Sequence, residues 1–147
     1  MKFQTIGPNG SSLTLGSSLE GDNQKVASPK ALMLSSLAGC SGIDIVSILE
    51  KMKVELKDFK INTIGSLTQE HPKYYNKVSM EYHFYGEQLD KEKINKAVNL
   101  SITKYCGVME MFRSFAEITT KHGIKFIGPS AQLIKSMGDK IEAKRIA

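Results

Sequence analysis

The strongest hydrophobic pattern in the chain is a nearly unbroken apolar run from residue 28 to residue 52. Ser28 can accept a hydrogen bond from a free amide of a first helical turn, and Pro29 suits the first helical position because it has no N–H to lose. The apolar side chains that follow surround the helix on every side, which is typical of a core helix. The pattern predicts a helix, buried all round, that ends near Met52 or Lys53. Ser, Asp and Gly residues interrupt the run and argue against a membrane span.

Shorter segments on both sides of this run have the apolar and polar spacing of β-strands. The expected strands are residues 3–6, 12–15, 17–19, 59–64, 74–85 and 116–127. Residues 7–10 (Gly-Pro-Asn-Gly) predict a turn that joins the first two strands in a hairpin, and residues 122–123 (His-Gly) predict a turn within the last segment. Asp90 is the expected cap of a second helix, and Gly107 marks the expected start of a third.

These elements predict an α+β fold in which antiparallel sheets surround one long central helix. A chain of 147 residues is long enough for one domain with a substantial core. Residues 1–128 are assigned to that domain. Residues 129–147 are assigned to a C-terminal extension, either helical or frayed.

Composition narrows the class of protein. The hydrophobic share of 41% and the charged share of 24% are ordinary for a globular protein. The net charge is +5, but the basic residues are dispersed among acids and only Arg113 and Arg145 are arginines, which argues against nucleic-acid binding. The N-terminus has no apolar stretch of signal-peptide length, so the expected location is the cytoplasm.

The two cysteines, Cys40 and Cys106, are the candidate chemistry, and they lie 66 positions apart. Two cysteines in a chain of this length do not make a disulfide framework of the secreted kind. No CxxC motif occurs and no histidine has a ligand spacing to either cysteine, so no metal site is predicted. The residues alone leave two possibilities open, a pair of buried apolar side chains or a reactive pair. A helix beginning at Gly107, together with Lys104, would favour a thiolate at Cys106.

Two local motifs carry a resemblance to a known family. They are Ser28-Pro29 followed by Leu37-Ala38-Gly39-Cys40, and Leu100-Ser101 followed by Lys104-Tyr105-Cys106-Gly107-Val108. Their order along the chain resembles the OsmC/Ohr family of osmotically induced and organic hydroperoxide resistance proteins, and most of all its OsmC-like branch. The resemblance covers about residues 1–127.

The resemblance implies an OsmC-like fold and an intertwined homodimer with the cysteine-bearing helices at its centre. It implies that Cys40 attacks an organic hydroperoxide or hydrogen peroxide and becomes a sulfenic acid, and that Cys106 resolves this acid to a disulfide. No bound cofactor is expected. An external dithiol of the lipoyl or thioredoxin type would then reduce the disulfide.

The chain also departs from the family pattern. Peroxidases of this type use an arginine from the N-terminal strands and a glutamate about ten residues before the first cysteine. Here no arginine precedes Arg113, and Lys30 stands at the glutamate position. Asp44, one helical turn after Cys40, is a candidate for lining the site.

Two other functions remain open at this point. The dimer can instead be a binding protein that holds an apolar small molecule in a groove beside Cys40 without redox turnover. The residues assigned to that groove are Met33, Leu37, Tyr105, Met109 and Phe112. With Asp44 they form the candidate set for substrate binding. A purely structural role, with both cysteines inert in the core, is the remaining alternative.

Overall fold

The computed structural model describes residues 2–16 and 26–127. In chain order the elements are β1 (Lys2–Ile6), β2 (Ser12–Gly16), α1 (Pro29–Lys51), β3 (Asp58–Leu67), β4 (Tyr75–Gly86), α2 (Lys91–Leu100), a π-helical turn (Ser101–Tyr105), α3 (Gly107–Arg113) and β5 (Glu117–Phe126). The expected strand at 17–19 and the C-terminal extension at 129–147 lie outside the described residues.

Local capping signals define both ends of α1. The Ser28 hydroxyl accepts a hydrogen bond from the Ala31 amide at 3.1 Å, and Pro29 occupies the first helical position. At the other end Lys53 has a left-handed φ of 57°, and its amide and that of Val54 donate to carbonyls of the last turn. This arrangement is a helix-terminating Schellman motif. The predicted start and end of the helix are therefore confirmed.

Burial of α1 differs from the prediction. One face is buried, through Leu37, Ser41, Gly42, Ile45 and Leu49. On the opposite face Ile43 is 73% exposed. The prediction of burial on all sides thus holds for one face only, because the described residues of a single chain cover only that face. By length and composition α1 could also cross a membrane, a test that the core helices of soluble proteins pass as well.

The sheets are only partly antiparallel. β1 and β2 form the expected antiparallel hairpin, and β3 pairs with β4 in the same sense. β5 pairs with β4 in parallel and runs without a turn through residues 122–123. Both expectations for the last segment, antiparallel pairing and a turn, are therefore wrong. Parallel neighbours need a crossover connection, and α2, the π-helical turn and α3 provide it.

The core lies between the three-stranded sheet and the helices. Alternate residues of β4 face the core, where Met80, Tyr82 and Phe84 have no exposed surface. α1 packs against β3, α2, the π-helical turn and α3. This packing places the middle of α1 beside the segment that links α2 to α3. Cys40 lies in the middle of α1, and Cys106 lies in the linking segment.

Candidate functional site

Two cysteines and one aspartate converge where α1 meets the start of α3. Cys40 lies on α1, and Asp44 follows it by one helical turn on the same face. Cys106 is the cap residue of α3. The two Sγ atoms and a carboxylate oxygen of Asp44 all lie within 4.8 Å of one another. The fold thus brings together two cysteines that are 66 positions apart.

Burial makes the two thiols unequal. Cys106 is 5% exposed, whereas Cys40 is partly exposed. Both thiols are free. A reagent from solvent therefore reaches Cys40 before it reaches Cys106.

The surroundings of Cys106 keep its thiol protonated. Burial raises the pKa of Cys106 to about 11, and the hydrogen bond to Cys40 and the nearby charge of Asp44 act in the same direction. The Met109 amide donates to Sγ of Cys106 at 3.3 Å and opposes the rise. The expectation of a thiolate here was wrong because loss of solvent outweighs the helix N-terminus. Lys104 does not offset this, since its ammonium lies over the Tyr105 ring, 5.4 Å from the centroid.

A hydroxyl network that the sequence did not reveal lies behind the thiols. Ser41 and Ser101 are fully buried, and their hydroxyls are 3.3 Å apart. Ser41 also shares a 2.7 Å hydrogen bond with the Tyr82 hydroxyl, and burial raises the pKa of Tyr82. The single proton of the Ser101 hydroxyl has two further acceptors in reach, the Ser41 carbonyl at 3.2 Å and Oδ2 of Asp44 at 3.5 Å. The Asp44 carboxylate lies at the edge of this network, on the side of α1 that carries Cys40.

The residues assigned to an apolar groove separate into two groups. Leu37, Met109 and Phe112 are at most 2% exposed and belong to the core. They contact other core side chains instead of lining a groove. Met33 and Tyr105 are exposed, by 44% and 52%. The assignment of all five to one groove wall is therefore corrected for the three core residues.

One groove does lie next to the two cysteines and Asp44. It has a volume of about 350 Å³, and its lining includes Asp44, Ile48, Met52 and Tyr105. Asp44 thus belongs both to the thiol cluster and to the wall of this groove. Its position is consistent with the expectation that it lines the site.

The described residues contain no arginine near the cysteines. Arg113, at the end of α3, lies 3.4 Å from Glu110 and is the only arginine within residues 2–16 and 26–127. Lys30 is exposed at the start of α1, ten residues before Cys40, which is about 15 Å along the helix. Asp44 is the carboxylate that lies beside both sulfurs.

Comparison with known proteins identifies the class. The sequence signature of the family described as OsmC-like protein matches residues 21–121, more than half of the chain. The chain therefore belongs to the OsmC-like family, as its motifs predicted.

Individual relatives agree with this assignment. The chain is 30% identical over 100 residues to protein YhfA of Escherichia coli K12, a match that covers 68% of this chain and 75% of YhfA. A solved hypothetical protein from Aquifex aeolicus VF5 has a TM-score of 0.72 and 26% identity, covering 87% of this chain and 97% of that one. The organic hydroperoxide resistance protein OhrB of Bacillus subtilis shares the fold, with a TM-score of 0.59 and 16% identity. The match covers 84% of this chain and 96% of OhrB.

Proposed function

We propose that this protein is a thiol-dependent peroxidase that reduces organic hydroperoxides or hydrogen peroxide. One observation carries the proposal: an accessible cysteine and a buried, protonated one have adjacent sulfurs in a fold that OhrB shares. An accessible sulfur suits attack on a peroxide. A buried neighbour suits the resolving step that follows.

In the first step the Cys40 thiolate attacks the terminal peroxide oxygen. The O–O bond breaks, Cys40 becomes a sulfenic acid, and an alcohol leaves after taking up one proton. The buried Cys106 thiol stays protonated in this step and shares a hydrogen bond with Cys40. The Cys40 sulfur is thereby oxidised by two electrons and the peroxide is reduced by two.

In the second step the Cys106 sulfur attacks the sulfenic acid. A Cys40–Cys106 disulfide forms and one water leaves, carrying the Cys106 proton and the sulfenic hydroxyl. The sulfurs start within 4.8 Å and finish about 2.05 Å apart, so the side chains move by less than about 3 Å. An external dithiol of the lipoyl or thioredoxin type then exchanges with the disulfide and regenerates both thiols.

The proposal includes a homodimer, located in the cytoplasm. A groove of about 560 Å³ lies between α1 and β3, lined by Gly42, Ile43, Phe59 and Ile61 among others, and Ile43 is 73% exposed. An apolar surface of this kind favours association. A second copy of the chain, placed with its own α1 against this groove, would cover it.

The test uses the reduced full-length chain and one equivalent of cumene hydroperoxide. We expect the loss of two thiols per chain and a disulfide between the peptides that contain Cys40 and Cys106. The Cys40→Ser variant, treated in the same way, keeps its remaining thiol. Thiol loss in the wild type no greater than in this variant would rule out the peroxidase.

A second candidate function is supported by the groove at Asp44 and Tyr105. Its volume of about 350 Å³ suits a small apolar molecule bound without redox turnover. Native mass spectrometry of the purified protein would then show a retained ligand, with the same occupancy in Cys106→Ser. A ligand-free protein that consumes hydroperoxide favours the peroxidase instead.

A further inference from the structure

The thiol cluster has a donor set that goes beyond thiol chemistry. Within residues 2–16 and 26–127, Cys40, Asp44 and Cys106 are the one group of three or more potential metal-ligating side chains with converging donor atoms. Two donors come from one face of α1, at positions i and i+4, and the third comes from the cap of α3. The absence of a CxxC motif therefore does not exclude a metal site, because the fold supplies the spacing.

We propose that Cys40, Asp44 and Cys106, when both thiols are reduced, form a binding site for a single divalent cation of the Zn²⁺ class. The remaining coordination position is open to water, since the site is partly exposed at Cys40. Binding releases the two thiol protons to solvent and leaves two thiolates and one carboxylate around the ion.

The spacing of the donors suits a tetrahedral ion. Zinc binds thiolate sulfur at about 2.3 Å and carboxylate oxygen at about 2.0–2.2 Å, so two sulfur ligands lie about 3.8 Å apart. Here all three donor atoms already lie within 4.8 Å of one another. The two sulfurs therefore need to approach by at most about 1 Å to reach the separation of two zinc-bound sulfurs.

The ligand types select the ion. Thiolates disfavour Mg²⁺ and Ca²⁺, which require oxygen ligands. Two thiolates with one carboxylate match the borderline-soft Zn²⁺, which binds Cys sulfur and carboxylate oxygen alike. Zn²⁺ also leaves the thiolates unoxidised, because it has no redox chemistry of its own.

Supporting hydrogen bonds orient two of the three ligands. The buried Ser101 hydroxyl lies 3.5 Å from Oδ2 of Asp44 and can turn its proton to that oxygen from the Ser41 carbonyl at 3.2 Å, and the Met109 amide donates to the Cys106 sulfur at 3.3 Å. Donors of this kind orient ligand atoms and stabilise their negative charge. Ser101 is thus a positioning residue for the cation, acting through Asp44.

The cation and the disulfide exclude each other, since both require the two sulfurs. This consequence rests on the proposed peroxidase. One hydroperoxide and two protons convert the zinc-bound dithiolate to the Cys40–Cys106 disulfide, an alcohol, one water and free Zn²⁺. The site then releases its cation when it is oxidised and recovers it when a dithiol reduces it.

The test begins with the reduced, chelator-treated full-length chain, titrated with Zn²⁺ against a chromophoric zinc indicator. We expect one ion per chain in the wild type and in Asp58→Asn, which neutralises an exposed carboxylate on β3. Asp44→Asn should bind at least tenfold more weakly, and Ser101→Ala about tenfold more weakly. Co²⁺ as a probe should give thiolate-to-cobalt charge-transfer absorption that Cys40→Ser lacks.

A control without any mutation uses diamide, a thiol oxidant that is not a hydroperoxide. Diamide-treated wild-type chain should bind no Zn²⁺ and should recover one site after reduction. Equal affinity in Asp44→Asn and wild type, or equal binding before and after diamide, overturns the site. Stoichiometric binding in a chain whose thiols resist hydroperoxide supports the site and contradicts the peroxidase. Hydroperoxide oxidation without saturable Zn²⁺ binding contradicts the metal site and supports the peroxidase.

Discussion

Replacing Cys106 by serine and by alanine separates its structural role from its chemical one. The Cys106 sulfur accepts the Met109 amide at 3.3 Å and so caps α3. Serine keeps an acceptor at this position and is among the preferred cap residues, whereas alanine removes it. Neither variant can form the disulfide.

The cap sets the size of the difference in stability. Both variants lose the sulfur, so their comparison isolates the hydrogen bond to the Met109 amide. A lost N-cap costs about 1 kcal/mol. For a chain of this size that corresponds to a melting temperature about 2–4 °C lower for Cys106→Ala than for Cys106→Ser. Urea denaturation and thermal melts of the reduced proteins measure both quantities.

A second experiment tests the chemical role of Cys106. The wild type, Cys106→Ser and Cys106→Ala are each treated with one equivalent of hydroperoxide and then with dimedone, which captures sulfenic acids. Wild-type chain should give the disulfide and little adduct, because Cys106 reaches the sulfenic acid first. Both variants should give a Cys40 adduct detected by intact mass. Equal stability of the two variants refutes the capping role, and equal dimedone capture in the wild type refutes the resolving role.

Three further predictions follow from burial and close contacts. The pKa of Cys106 rises from 9.0 to about 11 on folding. The free energy of unfolding of the metal-free chain should therefore fall from pH about 9 to about 11, and fall less in Cys106→Ala; a rise in urea-denaturation measurements contradicts this. Gly65→Ala places Cβ 2.5 Å from the Tyr75 ring and should cost about 1–3 kcal/mol, whereas Gly123→Ala, with open space around it, should gain about 0.5–1 kcal/mol; equal effects in thermal melts refute the contact. Ile43→Glu, on the exposed face of α1, should convert a dimer to single chains in sedimentation experiments, and a wild type that sediments as a single chain contradicts the proposed dimer.

The starts of the helices could be predicted from the sequence, because the signals that set them span only a few neighbouring residues. The start of α1 followed from Ser28 and Pro29, and that of α2 from Asp90, because a cap acts within one helical turn. The direction of β5 could not be read in this way. Apolar alternation from Ile118 to Phe126 is the same in parallel and antiparallel strands, and only the partner strand distinguishes them.

The environment of the site depends on contacts between distant residues. The α3 N-terminus correctly located Cys106 as a cap, but its pKa is set by burial and by Cys40, which a local pattern does not contain. Ser101 contacts Asp44 across 57 positions of sequence, so its support of the carboxylate had no sequence signal. The adjacency of Cys40 and Cys106 was expected from family resemblance and not from spacing.

The π-helical turn has a consequence for how this chain tolerates length changes. The Cys106 amide donates to the Ser101 carbonyl at 2.9 Å, five residues back instead of four, so the turn accommodates one surplus residue. Deleting one residue between them would restore an ordinary helix and rotate everything after it by about 100° around the axis. The Cys106 sulfur would then no longer point toward the Asp44 carboxylate. The segment between Ser101 and Cys106 must therefore keep its residue count.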